Sequence, residues 1–530
     1  MPRILPGSDT VRAVLGRARR CAAASGRLAV AHLPFAVVLA VAAAIRVVAV
    51  LGYPGPLWFG DSIDYLHDAA ALHPNAVRPS GYSVFLRLLR PVHDLTFVVA
   101  VQHLLGLLTA VMFYTLLWRA GRRRFSLADG SGRLAWRRWL PGLIAAALTL
   151  PFLLSTFEVS LEHGLFAETC FTFLLMGALV LVLWRRRTPW WAALLAGLLL
   201  GGAAITRTLG LPFIALIVLA LVLRRAGWRP VVAAVAAFAA PVVGYMFWFQ
   251  SVHGSFAMSE TNGIFLYGRV ASFADCSVIK PDPQLAVLCP HLTDPRIAPA
   301  YQVMWTNASP FRQYPDGVTN KEGNALASEF ARRAILAQPG DYAHVVLRDT
   351  MRCFTWGRPR YPTPWTQLSY EFPRGESWPD ARMLTAELYA PNGSGESRVV
   401  QPWAGRMLNY QAHMRMPGTF LGLIFLAGLV APLTRLRWPG RRRNRAALLH
   451  WIRVPMLPWG VGLALLVIPA ATADFDYRYV LPAVPFACLA LGLALFQAPH
   501  PATAEPAAAE EPEPEPDELA EHEPAEPSGR

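Results

Sequence analysis

Ten runs of mostly apolar residues divide the chain, at 30–52, 95–118, 140–156, 164–184, 189–206, 208–223, 230–249, 417–433, 454–472 and 479–497. A helix needs about 20 apolar residues to cross roughly 30 Å of hydrocarbon. Most of the runs approach or exceed that length. The shortest pair, 189–206 and 208–223, flanks Arg207. The pattern predicts an all-α polytopic membrane protein with about ten transmembrane helices.

Composition agrees. Of 530 residues, 54% are hydrophobic and 16% charged, where an average soluble domain carries about 25% charged residues. A purely soluble enzyme, a fibrous protein and a disulfide scaffold are excluded. The net charge of +14 would suit nucleic acid, but the arginines sit in short loops between apolar runs. Contact with anionic lipid is expected, and no nucleic-acid partner.

The loops set an orientation. Segments 1–29, 118–139, 185–187, 224–229 and 435–453 together hold 26 arginines, and the short loops between them hold five. The bias of cytoplasmic loops toward Arg and Lys assigns the 26 to the cytoplasm. It also requires two passes over 189–223, since one pass would strand the later basic clusters outside. Both termini are then cytoplasmic, in a multi-pass protein of the plasma membrane. Run 30–52 is too long for the apolar part of a signal peptide and reads as an uncleaved first helix.

These assignments divide the chain into a basic N-terminus (1–29) and a membrane module of about seven helices (30–249) with a first external loop at 53–94. A small extracytoplasmic domain (250–416), C-terminal membrane helices (417–497) and an acidic Pro/Ala/Glu tail (498–530) follow. The tail cannot bury enough apolar surface to fold and is expected to be disordered. Cys276 and Cys289 both fall in the external segment, where an oxidising compartment favours a disulfide; two separate thiols are the alternative. Residues 323–352 suggest two short helices broken at Pro339-Gly340.

The sharpest chemical signal is in the first external loop, where Asp61, Asp64, Tyr65 and Asp68 recur at three- and four-residue spacing. On a helix starting near Asp61, Asp64 and Asp68 share a face with it. A helix cap at Asp61 and solvated surface acids would also produce this spacing. The location just after a membrane helix, amid Trp58, Phe59 and Tyr65, favours an interface site. Arg78-Pro79-Ser80-Gly81-Tyr82 follows.

Here the sequence resembles the polyprenyl-phosphate-dependent membrane glycosyltransferases of the GT-C superfamily, which include protein mannosyltransferases and lipid A aminoarabinose transferases. Their first external loop carries Asp-Glu-x-x-Tyr and then a Pro-Gly-Tyr or Pro-Pro-Leu-Tyr segment. Asp61-Ser62-Ile63-Asp64-Tyr65 matches at Asp61 and Tyr65, with Ser62 where the family has Glu. Arg78–Tyr82 matches the second segment. Ala167-Glu168-Thr169, Thr206-Arg207-Thr208 and Tyr477-Arg478-Tyr479 with Pro482 look like three further family segments. The resemblance covers about 30–250 and 475–497, not the external domain.

It implies a GT-C-like fold and an inverting transfer of a sugar, of mannose or arabinofuranose type, from a polyprenyl-phosphate donor to an extracytoplasmic glycan or protein acceptor. Chemistry at such a site needs a base for the acceptor hydroxyl and cations for the departing phosphate. Asp61 is the expected base, and Arg207 and Arg478 the phosphate ligands. Asp64, Tyr65, Arg78, Tyr82, Glu168 and Tyr479 are the other expected substrate contacts. No cofactor is assigned, and a divalent cation is left open. Two rival readings are a transporter or flippase for a lipid-linked sugar, and a non-catalytic envelope assembly protein.

Overall fold

The computed structural model describes residues 31–126, 139–357, 360–375, 380–391, 395, 398–431 and 448–496. The basic N-terminus, most of the arginines of 435–453 and the acidic tail lie outside them. Among the described residues the regular structure is helical, with one isolated bridge between Leu57 and Gly164. In chain order the first half comprises α1 (Ala31–Gly52), α2 (Gly60–Ala71), α3 (Gly81–Leu89) and α4 (Leu95–Ser126). It continues with α5 (Leu140–Ala147), α6 (Leu150–Leu153), α7 (Thr156–His163), α8 (Ala167–Leu183), α9 (Trp190–Thr206), α10 (Phe213–Leu223) and α11 (Trp228–His253).

All ten apolar runs are helical over most of their length. Four helices, Ala31–Gly52, Leu95–Arg123, Trp228–His253 and Tyr477–Leu495, are long and apolar enough to cross a bilayer alone. Two bent pairs add up to two further spans: Leu140–Leu153 with Thr156–His163, and Trp403–His413 with Gly418–Val430. Ala167–Leu183, Trp190–Thr206, Thr208–Leu223 and Met456–Thr472 are shorter apolar helices. The chain is an all-α polytopic membrane protein.

Run 140–156 departs from the single helix its hydropathy suggests. Pro151 has no N–H to donate to the preceding turn, and Ser155 is extended. Helix α7 then begins afresh, bent by 60°, with the Thr156 N–H donating to Met414 O at 3.0 Å. The doubtful stretch 189–223 does form two helices, parted by the 3-10 turn Thr208–Gly210. Helices α9 and α11 pack backbone to backbone at Gly197, where a Cβ would collide with the Ala234 carbonyl. Small residues permit this approach where water supplies no hydrophobic drive between helices.

The longest buried polar chain ties α1, α4 and α7 together. Arg46, 3% exposed, donates from Nε and Nη2 to the two carboxylate oxygens of Glu162, both at 2.7 Å. His103 Nδ1 lies 2.8 Å from Glu162 Oε2, and its Nε2 lies 3.0 Å from His163 Nδ1. His163 Nε2 reaches the carbonyls of Tyr53 and Gly55. Gln102 donates to Glu162 O and Gly164 O, the interhelical bonding its position suggests. The same junction holds the segment before α2, because Leu57 N donates to His163 O and Leu165 N to Leu57 O.

Residues 262–352 have a core of their own, with Ile264, Tyr267, Leu288, Phe311 and Phe330 buried. Cys276 and Cys289 are joined by a disulfide. Helices Lys321–Ala337 and Pro339–Arg352 meet at Gln338, where the proline disfavours helical geometry in the residue before it. Tyr389 caps a separate cluster with Trp58, Tyr65, Tyr82 and Leu86, and its hydroxyl donates to Leu86 O at 2.6 Å.

Candidate active site

Helix α2 brings the first carboxylate into place. Its first turn closes through Ser62, whose Oγ accepts from the Phe59 N–H at 3.0 Å and donates to Leu165 O at 3.3 Å. Ser62 is fully buried. The position where the resembled motif has Glu therefore faces inward, toward the α7–α8 junction. Asp61, one residue earlier, projects the other way, and its oxygens lie on guanidinium groups rather than on helix N–H groups.

Asp61 Oδ1 lies 2.7 Å from Arg78 Nη1, and Oδ2 accepts from Arg478 Nη1 at 2.8 Å. Burial alone would raise this carboxyl, but Arg78 and Arg478 outweigh it and hold it well below the usual carboxylate range. Arg78 follows the turn Asn75–Val77, whose Asn75 Oδ1 accepts from the N–H groups of Val77 and Arg78. Gly81 lets α3 press on the end of α9: a Cβ there would sit 2.6 Å from the Ile205 carbonyl carbon. The Arg78 segment is thereby set against the helix end that presents Arg207.

Arg207 stands at the α9 C-terminus in extended conformation and pairs with Glu168 in the first turn of α8. Glu168, 1% exposed, also faces Arg478 Nε at 3.7 Å. Asp476 holds Arg478 from behind, with Oδ2 3.4 Å from Nε, while Tyr370 donates its hydroxyl to Asp476 at 2.7 Å. The Arg478 guanidinium also lies over Phe59 and Tyr479, and that of Arg207 over Tyr479. Such stacking fixes a planar cation while its N–H edge remains available.

These groups line one cavity of about 430 Å³. Its lining includes the charged Asp61, Arg78, Arg207 and Arg478, together with Tyr65 and Tyr479. The rest of the lining mixes apolar residues, among them Leu209, Pro212, Phe265, Leu266, Ile468 and Pro469, with the polar Thr206, Thr208, Ser259, Asn262 and Thr472. Of the residues expected from sequence, Asp61, Tyr65, Arg78, Arg207, Arg478 and Tyr479 are brought together here. Glu168 is behind the wall, bonded to the arginines. Asp64 stands aside, its carboxylate 3.8 Å from Arg78. Tyr82 is fully buried and spends its hydroxyl on Gln102 Oε1 at 2.5 Å.

Sequence reasoning missed Ser259, Asn262, Phe265 and Leu266, which enter the cavity from the segment after α11. It also missed Tyr370 and Asp476. Only the proximity of Asp476 to Arg478 could have flagged one of them.

Among the described residues no group of three His, Cys, Asp or Glu is placed to hold a metal ion. Both oxygens of Asp61 are engaged by guanidinium groups, and Glu168 sits against two arginines. A divalent cation needs several oxygen donors without such competition, so this donor set does not fit one.

Asp68, buried two turns along α2 from Asp61, gives a pH-dependent stability. Burial pushes its carboxyl up to about 7 from 3.8, with Asp64 adding to the rise and Asn75 and Arg78 opposing it. The folded state thus holds a proton that the unfolded chain releases near pH 4. Stability contributed by this group is full below about pH 4 and declines as the pH rises toward 7. Asp68→Asn is expected to flatten that slope, read as melting temperature against pH for both proteins in one detergent.

No family model matches the chain, and no curated protein matches it. Among solved structures it is similar to that titled "Crystal Structure of ArnT from Cupriavidus metallidurans bound to Undecaprenyl phosphate". The two are 14% identical, with 87% of this chain and 77% of that one covered and a TM-score of 0.30.

Proposed function

We propose that this chain is an inverting membrane glycosyltransferase that moves a sugar from a polyprenyl-phosphate donor to an extracytoplasmic cell-envelope glycan or protein acceptor. The observation that carries the reading is the cavity itself, where a carboxylate sits between guanidinium groups and apolar residues share the lining. A lipid-linked sugar has the matching parts: an isoprenoid for the apolar lining residues, a phosphate for the arginines and an anomeric carbon beside the carboxylate.

In the reaction, the phosphate binds Arg207 and Arg478, and the guanidinium of Arg478 exchanges Asp61 for a phosphate oxygen. Losing that partner raises the basicity of Asp61. Asp61 then takes the proton of the acceptor hydroxyl as its oxygen bonds to C1 and the C1–O bond to phosphate breaks. Polyprenyl phosphate leaves with its new charge on the arginines. A single displacement inverts the anomeric centre. The arginine bias of the loops puts this chemistry on the outer face of the plasma membrane.

The test is mass spectrometry of envelope glycans from a deletion strain. One sugar substituent should be missing and should return with the wild-type gene but not with Asp61→Asn. Complete glycans in the deletion strain would overturn the reading. Arg207→Gln is expected to raise the donor KM about tenfold or more, since a hydrogen bond to a charged group contributes about 1.5–3 kcal/mol.

The buried chain Arg46–Glu162–His103–His163 favours a second reading, a transporter or flippase, because ionisable groups inside a bilayer often mark a translocation path. That reading expects lipid-linked sugar to accumulate on the inner leaflet of the deletion strain, and Asp61→Asn to restore full glycans.

A further inference from the structure

A second cavity, of about 510 Å³, lies outside the site described above, and no substrate contact expected from the sequence falls in it. Its lining includes Arg296, Arg348, Arg352, Arg360 and Tyr361, with prolines and Ile297 between them. It belongs to the segment between α11 and the last membrane helices, which the family resemblance does not cover.

The charges around it do not balance. Arg296 is met by Asp294 through two bonds of 2.8 and 3.0 Å. Asp349, fully buried, is shared by three arginines: Arg269 at 2.5 Å, Arg352 at 2.8 Å and Arg348 at 3.3 Å. Asp474 also faces Arg269, at 3.7 Å. Three guanidinium groups thus stand over two carboxylates. Arg360 is exposed and makes no hydrogen bond or ion pair with the described residues. Like charges gathered in a concave wall repel unless an anion shares their N–H groups.

The Arg352 guanidinium is held face-on to Tyr361, 4.3 Å from its ring centre. Tyr361 donates its hydroxyl to Asp474 at 2.6 Å. A stacked guanidinium keeps its N–H edge for a ligand, and its fork matches phosphate oxygens two at a time. The volume falls in the range of small-molecule sites and exceeds what a bare phosphate ion fills. Pro295, Pro299, Pro364 and Ile297 supply apolar contact for the remainder.

We propose that this arginine-lined cavity binds a phosphate ester carried on a larger body, held chiefly by Arg348, Arg352 and Arg360. The ester could come from a glycan or from a phospholipid headgroup; the chemistry recognised is the same.

The test uses the full chain in phosphatidylcholine nanodiscs, with radiolabelled glycerol 3-phosphate as the probe and mannose as the uncharged control. Saturable binding of the probe but not of mannose is expected, and it should persist in Arg207→Gln, which disables the first cavity. Arg348→Gln/Arg360→Gln should weaken it about tenfold or more. Arg360→Gln alone, which breaks no bond among the described residues, should weaken it several-fold even if the double variant folds poorly. Phosphatidylglycerol in the nanodisc distinguishes the sources: competition identifies a headgroup, and lack of competition a phosphate borne outside the bilayer. Absence of saturable binding, equal binding by wild type and the Arg360→Gln variant, or loss of all binding in Arg207→Gln would overturn the proposal. No arm reads sugar transfer, so the transferase reading and this site stand or fall separately.

Discussion

Asp61→Asn is expected to lower sugar transfer about 10²- to 10⁴-fold, the range that a positioned general base contributes. Asparagine has nearly the same shape and cannot accept the acceptor's proton. The kinetic split is diagnostic. Asp61 occupies one guanidinium nitrogen each of Arg78 and Arg478, so on the proposed reading it would compete with the donor's phosphate before binding. Removing its charge releases both arginines, and the donor KM should stay constant or fall while kcat collapses. A merely structural loss would raise KM and lower yield together. Transfer within threefold of wild type, measured in membranes with a defined lipid-linked sugar, would remove Asp61 from the reaction.

The largest effect on stability is expected at Glu162, far in sequence from Asp61. Its carboxylate receives two bonds from Arg46 and a contact from His103 at 2.8 Å, with both Arg46 and Glu162 almost completely buried. Hydrogen-bond direction sharpens the expectation. The carbonyls of Tyr53 and Gly55 can only accept, so His163 Nε2 carries a proton. Its Nδ1 lies 3.0 Å from His103 Nε2, and His103 Nδ1 lies 2.8 Å from Glu162. Glu162→Gln leaves the buried Arg46 guanidinium without its counter-charge. Breaking a buried pair by removing one partner costs about 3–5 kcal/mol.

The variant should therefore show a much lower melting temperature and yield in detergent. Adding Arg46→Met should recover part of the loss, because the two sites are in contact and their effects do not add. A melting temperature equal to wild type would mean that the pair is solvated. Since His163 anchors the segment before α2, the surviving fraction should also transfer sugar poorly.

The legible part of this architecture was local. Apolar length located the apolar helices among the described residues, because a bilayer selects on the composition of a single segment. The break at Pro339 and the helix start beside Asp61 were also readable, since each depends on a few neighbouring residues. The bend within 140–163 was not. Pro151 marks it, but Thr156 closes it through a bond to Met414, 258 residues away. Ser62 stands where the resembled motif has Glu, and its local bond to the Phe59 N–H together with its distant bond to Leu165 O accounts for a buried serine there.

By itself, then, the sequence determined an all-α polytopic membrane chain and an acid-rich loop beside the first helix. Hydropathy and proline geometry act over one or two turns, so they survive without knowledge of the fold. Tertiary structure alone decided which cation meets which carboxylate: Asp61 with Arg478, 417 residues apart, and Arg46 with Glu162, 116 apart. It alone brought Phe265 and Asn262 to the site and Tyr82 away from it. Partner choice follows from where helices come to rest, because Coulomb and hydrogen-bond energies fall off over a few ångströms of space and take no account of distance along the chain.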